Sequence, residues 1–217
     1  MNSFFFFLRT LFKRKWWVLS TSVLAAIFAV FFVSKIPDRF RSSTVIYTGI
    51  ISGFDILSSK TTTNAVYING TLDNLISIIK SQPTLESVSL KLLAMDLMNL
   101  DPDNDNEYLT ARSSRDLLER VPVEVLQLVD VDDYEKTVEN LQEYASRDSY
   151  NFVYGLIHWH DSHYSLEALD QIKASRIGNS DMLQISYVGD DKYIVYHTLR
   201  ILNEEFVTQY NLLRFQQ

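Results

Sequence analysis

The residues best suited to chemistry stand together at His158-Trp159-His160-Asp161-Ser162-His163, where three of the chain's four histidines fall within six positions. On an extended strand His158 and His160 would share a face, and with His163 they could offer imidazole nitrogens to one zinc ion. A catalytic metal site also needs a carboxylate base, a formed pocket and partners that orient the ligands. Spacing supplies none of these, so the segment reads as a polar, aromatic turn, with His158, His160 and His163 as the residues to inspect. Other chemistries have less. The six glycines are scattered and build no phosphate-cradling loop. There is no cysteine, hence no thiol nucleophile and no disulfide. No GxSxG elbow occurs. The acidic run Asp101-Pro102-Asp103-Asn104-Asp105-Asn106 lacks the mid-loop glycine and closing glutamate of a calcium loop and reads as a solvated turn. Nothing singles out a pair of catalytic carboxylates. The chain reads as a binding or assembly protein without a cofactor rather than an enzyme.

The element that organises the chain is Trp16 to Ser34, an uncharged apolar run closed by Lys15 and Lys35. As a helix it spans roughly 28 Å, close to the hydrocarbon thickness of a bilayer. A backbone in lipid must satisfy its own hydrogen bonds, so this run is expected as a transmembrane helix. Trp16 and Trp17 suit the interface, and Phe28, Phe31 and Phe32 the lipid. A cleaved signal peptide is the rival, but the run is longer than such an apolar core and no small-x-small site follows it. Residues 1–15, rich in Phe and basic side chains, read as a cytoplasmic or interfacial segment, 16–34 as the span, and 35–217 as one extracytoplasmic domain.

Charge divides the same way. The whole chain of 217 residues carries −7, yet residues 1–41 hold seven Lys/Arg against one acid, and the remainder holds 13 against 26. The basic end suits anionic headgroups; the acidic body excludes nucleic acid as a partner. Four basic residues precede the apolar run and three follow closely, an excess that favours a cytoplasmic N-terminus.

Beyond Pro37 the pattern is mixed α/β. Arg41 to Ser52 is rich in β-branched residues and reads as a strand. Gly53 to Gly70 reads as a Ser/Thr/Asn-rich loop, with Thr71 capping a helix that follows. Pro83 opens a helix whose apolar face is Leu85, Val88, Leu92 and Met95. Helices are expected from Tyr108 to Leu118 and Asp130 to Arg147, an irregular aromatic stretch from Asn151 to His163, and a short helix after Ser165. Met182 to Val188 alternates as a half-buried strand does. Asp190-Asp191 then caps a long last helix with the stripe Leu199, Leu202, Phe206, Tyr210 and Leu213. That stripe needs cover, either within its own domain or on a neighbouring copy. The last helix ends without a stop signal, as if cut inside a longer one.

Three stretches in this order resemble a known family. They are the basic N-terminus and apolar helix followed by Pro37, Phe40 and a strand; Ile78-Ile79-Lys80-Ser81-Gln82-Pro83-Thr84-Leu85-Glu86-Ser87-Val88 running into a Leu-rich helix; and Asp181-Met182-Leu183-Gln184-Ile185-Ser186-Tyr187 with Asp190 and a helix carrying Leu202-Asn203 and Tyr210. The arrangement resembles the chain-length determinant (Wzz-type) proteins, polysaccharide co-polymerases of the bacterial inner membrane. The resemblance implies an α/β (α+β) membrane-proximal base joined to a long helix in the periplasm. It implies a homo-oligomeric ring, partnership with a polysaccharide polymerase and its lipid-linked glycan, and no catalysis of its own. The chain departs from the family where Asp191-Lys192 replaces the usual Asp-Pro, in the unmatched stretch Asp101 to His163, and in lacking a second membrane helix. The simplest expectation is the first part of a longer protein. A different class, the sensory input domain of a membrane signalling protein, shares the same outline, and a signal-anchored, metal-dependent hydrolase using the histidines is a third.

Overall fold

The computed structural model describes residues 15–33, 39–49, 61–159 and 162–215. Two compact units divide the chain, residues 1–38 and 39–217.

The first unit contains helix α1, Lys15–Val33. The run expected from Trp16 to Ser34 is therefore helical over nearly the same residues, with Ser34 outside the described residues. Trp16, Trp17, Phe28, Phe31 and Phe32 all lie more than half exposed on it. Its hydrophobicity runs around the whole circumference, without the polar stripe of a surface helix. Among the described residues, however, no helix is long and apolar enough to cross a membrane. The helix is there; the span is not established by it.

The second unit is α+β. Strand β1 (Phe40–Tyr47) is followed by helices α2 (Thr61–Ile79), α3 (Gln82–Met98), α4 (Ala111–Arg120), α5 (Val123–Leu126), α6 (Tyr134–Arg147), α7 (Phe152–His158) and α8 (Leu166–Asp170). Strands β2 (Lys173–Arg176) and β3 (Met182–Gly189) and the long helix α9 (Lys192–Phe215) complete it. The three strands form an antiparallel sheet in the order β1-β3-β2. Thr44 lies opposite Ile185 and Ile46 opposite Leu183, while Ala174 faces Ile185 from the other side. Leu183, Ile185 and Tyr187 thus point into the core, as the alternation in this stretch requires. Gly178, at φ +55°, lets the chain reverse between β2 and β3 where a side chain would be strained.

Helix α3 is the centre of the core. Leu85, Val88, Leu92 and Met95 are buried, as expected, but so are Leu90, Leu93 and Leu97. The helix is covered on all sides, by α9, α6, α8 and α2. Pro83 sits in its first turn, where the missing N–H has no intrahelical partner to lose.

Three expectations are corrected. Residues 61–70, read as loop, are the first half of α2, and Thr71 is inside that helix rather than its cap. Ser, Thr and Asn are indifferent helix formers rather than breakers, and Gly70 costs only about 1 kcal/mol against alanine. Arg176 donates from Nη1 to Asn69 Oδ1 at 2.8 Å, which ties this part of α2 to β2. Residues 152–158, read as irregular, form α7, because Asn151 accepts from the Tyr154 amide at 2.8 Å and caps it. Strand β2 is also additional; its four residues are too few to show a period. The strand expected to Ser52 is helped no further than Tyr47, and residues 50–52 lie outside the described residues.

A groove with an aromatic rim as the candidate functional site

The structure separates the histidines. His158 ends α7, with Nε2 3.8 Å from Glu86 Oε1 on α3. His163 Nε2 lies 3.9 Å from Asp96 Oδ2, a different carboxylate further along α3. His160 lies outside the described residues. The expected strand geometry therefore fails at its first member, since His158 is helical. Among the described residues no group of three His, Cys, Asp or Glu side chains could hold a metal.

What α7 does build is one wall of a groove. A cavity of about 540 Å³ opens between α3, α6 and α7, within the range of small-molecule sites. Helix α3 contributes Gln82, Glu86 and Ser87; α6 and the turn after it contribute Gln142, Ser146 and Ser149. The floor is apolar, from Leu90, Val138 and Ile157. Gln82 Nε2 donates to Glu86 Oε1 at 2.7 Å, which fixes both ends of that wall. Among the described residues, no lysine or arginine lines the groove.

Aromatic rings gather at its α7 end. Tyr154 packs on His158 with centroids 4.1 Å apart and meets Trp159 edge-on at 5.4 Å. Trp159 in turn lies 5.8 Å from Tyr150. Trp159 is 59% exposed and Tyr150 83%. Large rings so exposed contribute little to folding and are available as a flat contact surface.

A second polar group is sealed in the core. Asp96 is fully buried and accepts from the Tyr164 hydroxyl at 2.7 Å, while Ser89 Oγ donates to the Tyr164 carbonyl at 2.6 Å. Burial pushes the Asp96 carboxyl above the usual range, although His163 and Tyr164 oppose this. Burial, with Asp96 adjoining, likewise pushes the Tyr164 phenol up. The contacts tie the segment before α8 to α3 and serve architecture, since a substrate in the groove would not reach them through the packed core.

Two further networks hold α9. Asp191 Oδ2 accepts from Thr110 Oγ1 at 2.7 Å and Ser113 Oγ at 2.6 Å, and its Oδ1 accepts from the Tyr193 amide at 2.8 Å. Burial acts to raise the Asp191 carboxyl, but these donors outweigh it and hold it below the ordinary value. Lys91 Nζ pairs with Glu205 Oε2 at 2.7 Å. On the stripe of α9, Leu199, Leu202 and Phe206 are buried and Tyr210 half-buried, all packed into this domain's core; the Leu213 side chain lies outside the described residues.

The order of the elements, an apolar α1, then β1, then α2 and a proline-led α3, runs through the first 92 residues. Residues 3–92 match the family model of the chain length determinant protein, Wzz. This is the family the sequence resembles. The Wzz match supports a chain-length-determinant role in polysaccharide biosynthesis. It ends within α3, so α6 and α7 of the groove lie beyond it. No curated protein and no solved structure shows a significant match.

Gln82, Glu86, Gln142 and Ser146 were not singled out by the sequence. Each pair has the i, i+4 spacing of one helix face. That signal marks a face but not the helix opposite it. Asn151 to His163 was legible as an aromatic stretch, though as an irregular one.

Proposed function

We propose that this protein is a non-enzymatic polysaccharide co-polymerase. It sets the length of a surface polysaccharide (an exopolysaccharide, capsule or O-antigen) made by a separate polymerase on a lipid-linked glycan. The observation that carries the reading is the chain length determinant match over residues 3–92. On this reading α1 anchors the chain in the bacterial inner membrane, with the N-terminus cytoplasmic and the acidic domain outside the cytoplasm. The helix is about 28 Å long in full. Its shortfall against a hydrocarbon core of about 30 Å is one that local thinning, or lysines snorkelling to the headgroups, accommodates at modest cost. The all-round apolar surface of α1 supports lipid as its surroundings.

Copies of the chain associate in a ring by repeating one contact. The stripe of α9 supplies packing inside each copy rather than that contact, given the burial of Leu199, Leu202 and Phe206. The test is to delete the gene and separate the surface polysaccharide by size on a gel. The reading expects the length distribution to change while the sugar composition stays the same. An unaltered ladder would end it.

A further inference from the structure

We infer that the groove between α3, α6 and α7 is a binding site for an uncharged segment of a carbohydrate chain. The inference rests on the co-polymerase reading for the presence of a polysaccharide, and on the groove itself for the rest.

A sugar ring presents two kinds of surface. Its flat faces carry C–H groups and its edge carries hydroxyls that both donate and accept hydrogen bonds. A complementary site needs exposed aromatic faces beside amides, hydroxyls and carboxylates, over an apolar floor. The groove has this combination. Tyr154 gives a ring in the lining, with Trp159 edge-on beside it at 5.4 Å, Gln82, Gln142 and Ser146 give the neutral polar groups, and Glu86 a carboxylate acceptor. Glutamine amides and serine hydroxyls both donate and accept, as sugar hydroxyls require.

Charge narrows the occupant. An acidic polymer calls for lysine or arginine, and among the described residues none lines the groove. Glu86 would repel a uronate, and the body around it carries 26 acids against 13 basic residues. A neutral stretch of glycan fits and an anionic one does not. The open form suits a passing internal segment of a polymer, held weakly enough to move on.

The test uses the full-length protein in lipid nanodiscs, with Trp16 and Trp17 changed to Phe so that Trp159 is the one tryptophan left of three. Probes are neutral oligosaccharides of glucose and of mannose, a size-fractionated hydrolysate of the cell's own surface polysaccharide, and oligogalacturonate as the acidic control. The expected result is a saturable shift in Trp159 emission with a neutral probe, at dissociation constants of the order of millimolar, and none with oligogalacturonate. Tyr154→Ala should weaken binding roughly five- to tenfold, the loss of one stacking contact. Gln142→Leu, at an exposed position, should weaken it roughly threefold or more and decides the matter should the tyrosine variant not fold.

No saturable response to any probe, binding of the acidic probe alone, or unchanged affinity in Gln142→Leu would overturn the inference. The two readings fail separately. A changed polysaccharide ladder on gene deletion without oligosaccharide binding removes the groove only. Binding with an unchanged ladder removes the chain-length role only.

Discussion

The Tyr164 hydroxyl donates to Asp96 Oδ2 across 2.7 Å in the interior of the domain, 68 positions apart in sequence. The carboxyl it meets has no exposure to water, and burial raises the pH at which it ionises. Its folded value thus lies above its unfolded one. The stabilisation is fully present below the unfolded value, near 4, and is lost as pH rises through the folded value. Asp96→Asn removes that titration. Urea denaturation from pH 4 upward should show the wild-type domain losing stability relative to the variant. A constant difference across the range would mean that Asp96 does not titrate as described.

Asp191 behaves in the opposite sense. Donors from Thr110, Ser113 and Tyr193 hold its carboxyl low despite burial. Its contribution is present above the unfolded value and disappears as pH falls through the lower folded one. Asp191→Ala removes the shared acceptor of two hydroxyls, leaving them only their bond to each other, and uncaps α9; it should cost roughly 2–4 kcal/mol at pH 7 by urea denaturation. The loss should shrink toward pH 2.

Leu92 is completely buried in the middle of α3, covered by its neighbours in the core. Leu92→Ala should destabilise the domain by roughly 2–5 kcal/mol through lost transfer energy and an unfilled cavity. Leu118, which is 42% exposed on α4, is the contrast. Leu118→Ala should change stability by less than about 1 kcal/mol. Thermal or urea melts of both variants check the ranking.

The membrane reading of α1 is tested at its middle. Ile27 and Phe28 are exposed on the helix and central in the uncharged run. Replacing both with Lys adds roughly 5–7 kcal/mol to insertion, about 3 kcal/mol for each charge at a bilayer centre. The wild-type chain should resist alkaline extraction of cell membranes, and the double variant should be released. Release of both would argue that α1 is not the anchor.

The elements that were legible in the sequence have local causes. Pro83, Ser165 and Asp191 each mark a helix start by their own chemistry, and Ser165 and Asp191 accept from the backbone amides they cap. The alternation of β3 is equally local. The first half of α2 was not legible, because its Ser/Thr/Asn composition favours neither helix nor loop strongly. Helix α7 was hidden by its aromatics, although Asn151 stood ready as its cap. The groove was hidden for another reason. Gln82 and Gln142 become neighbours of one cavity only when α6 packs against α3, a contact between distant parts of the chain. The stripe of α9 showed an apolar face and left open whether its own domain or another copy covered it; burial of Leu202 and Phe206 answers for those residues.

As the proposed co-polymerase, this chain would control polymer length without making or cutting bonds. The most direct measurement is the size distribution of surface polysaccharide in the deletion strain carrying the full-length gene in trans under graded expression. The account predicts that the distribution returns to the wild-type modal length as expression rises, with total polymer sugar nearly unchanged. A distribution that stays indifferent to the gene at every expression level would contradict it.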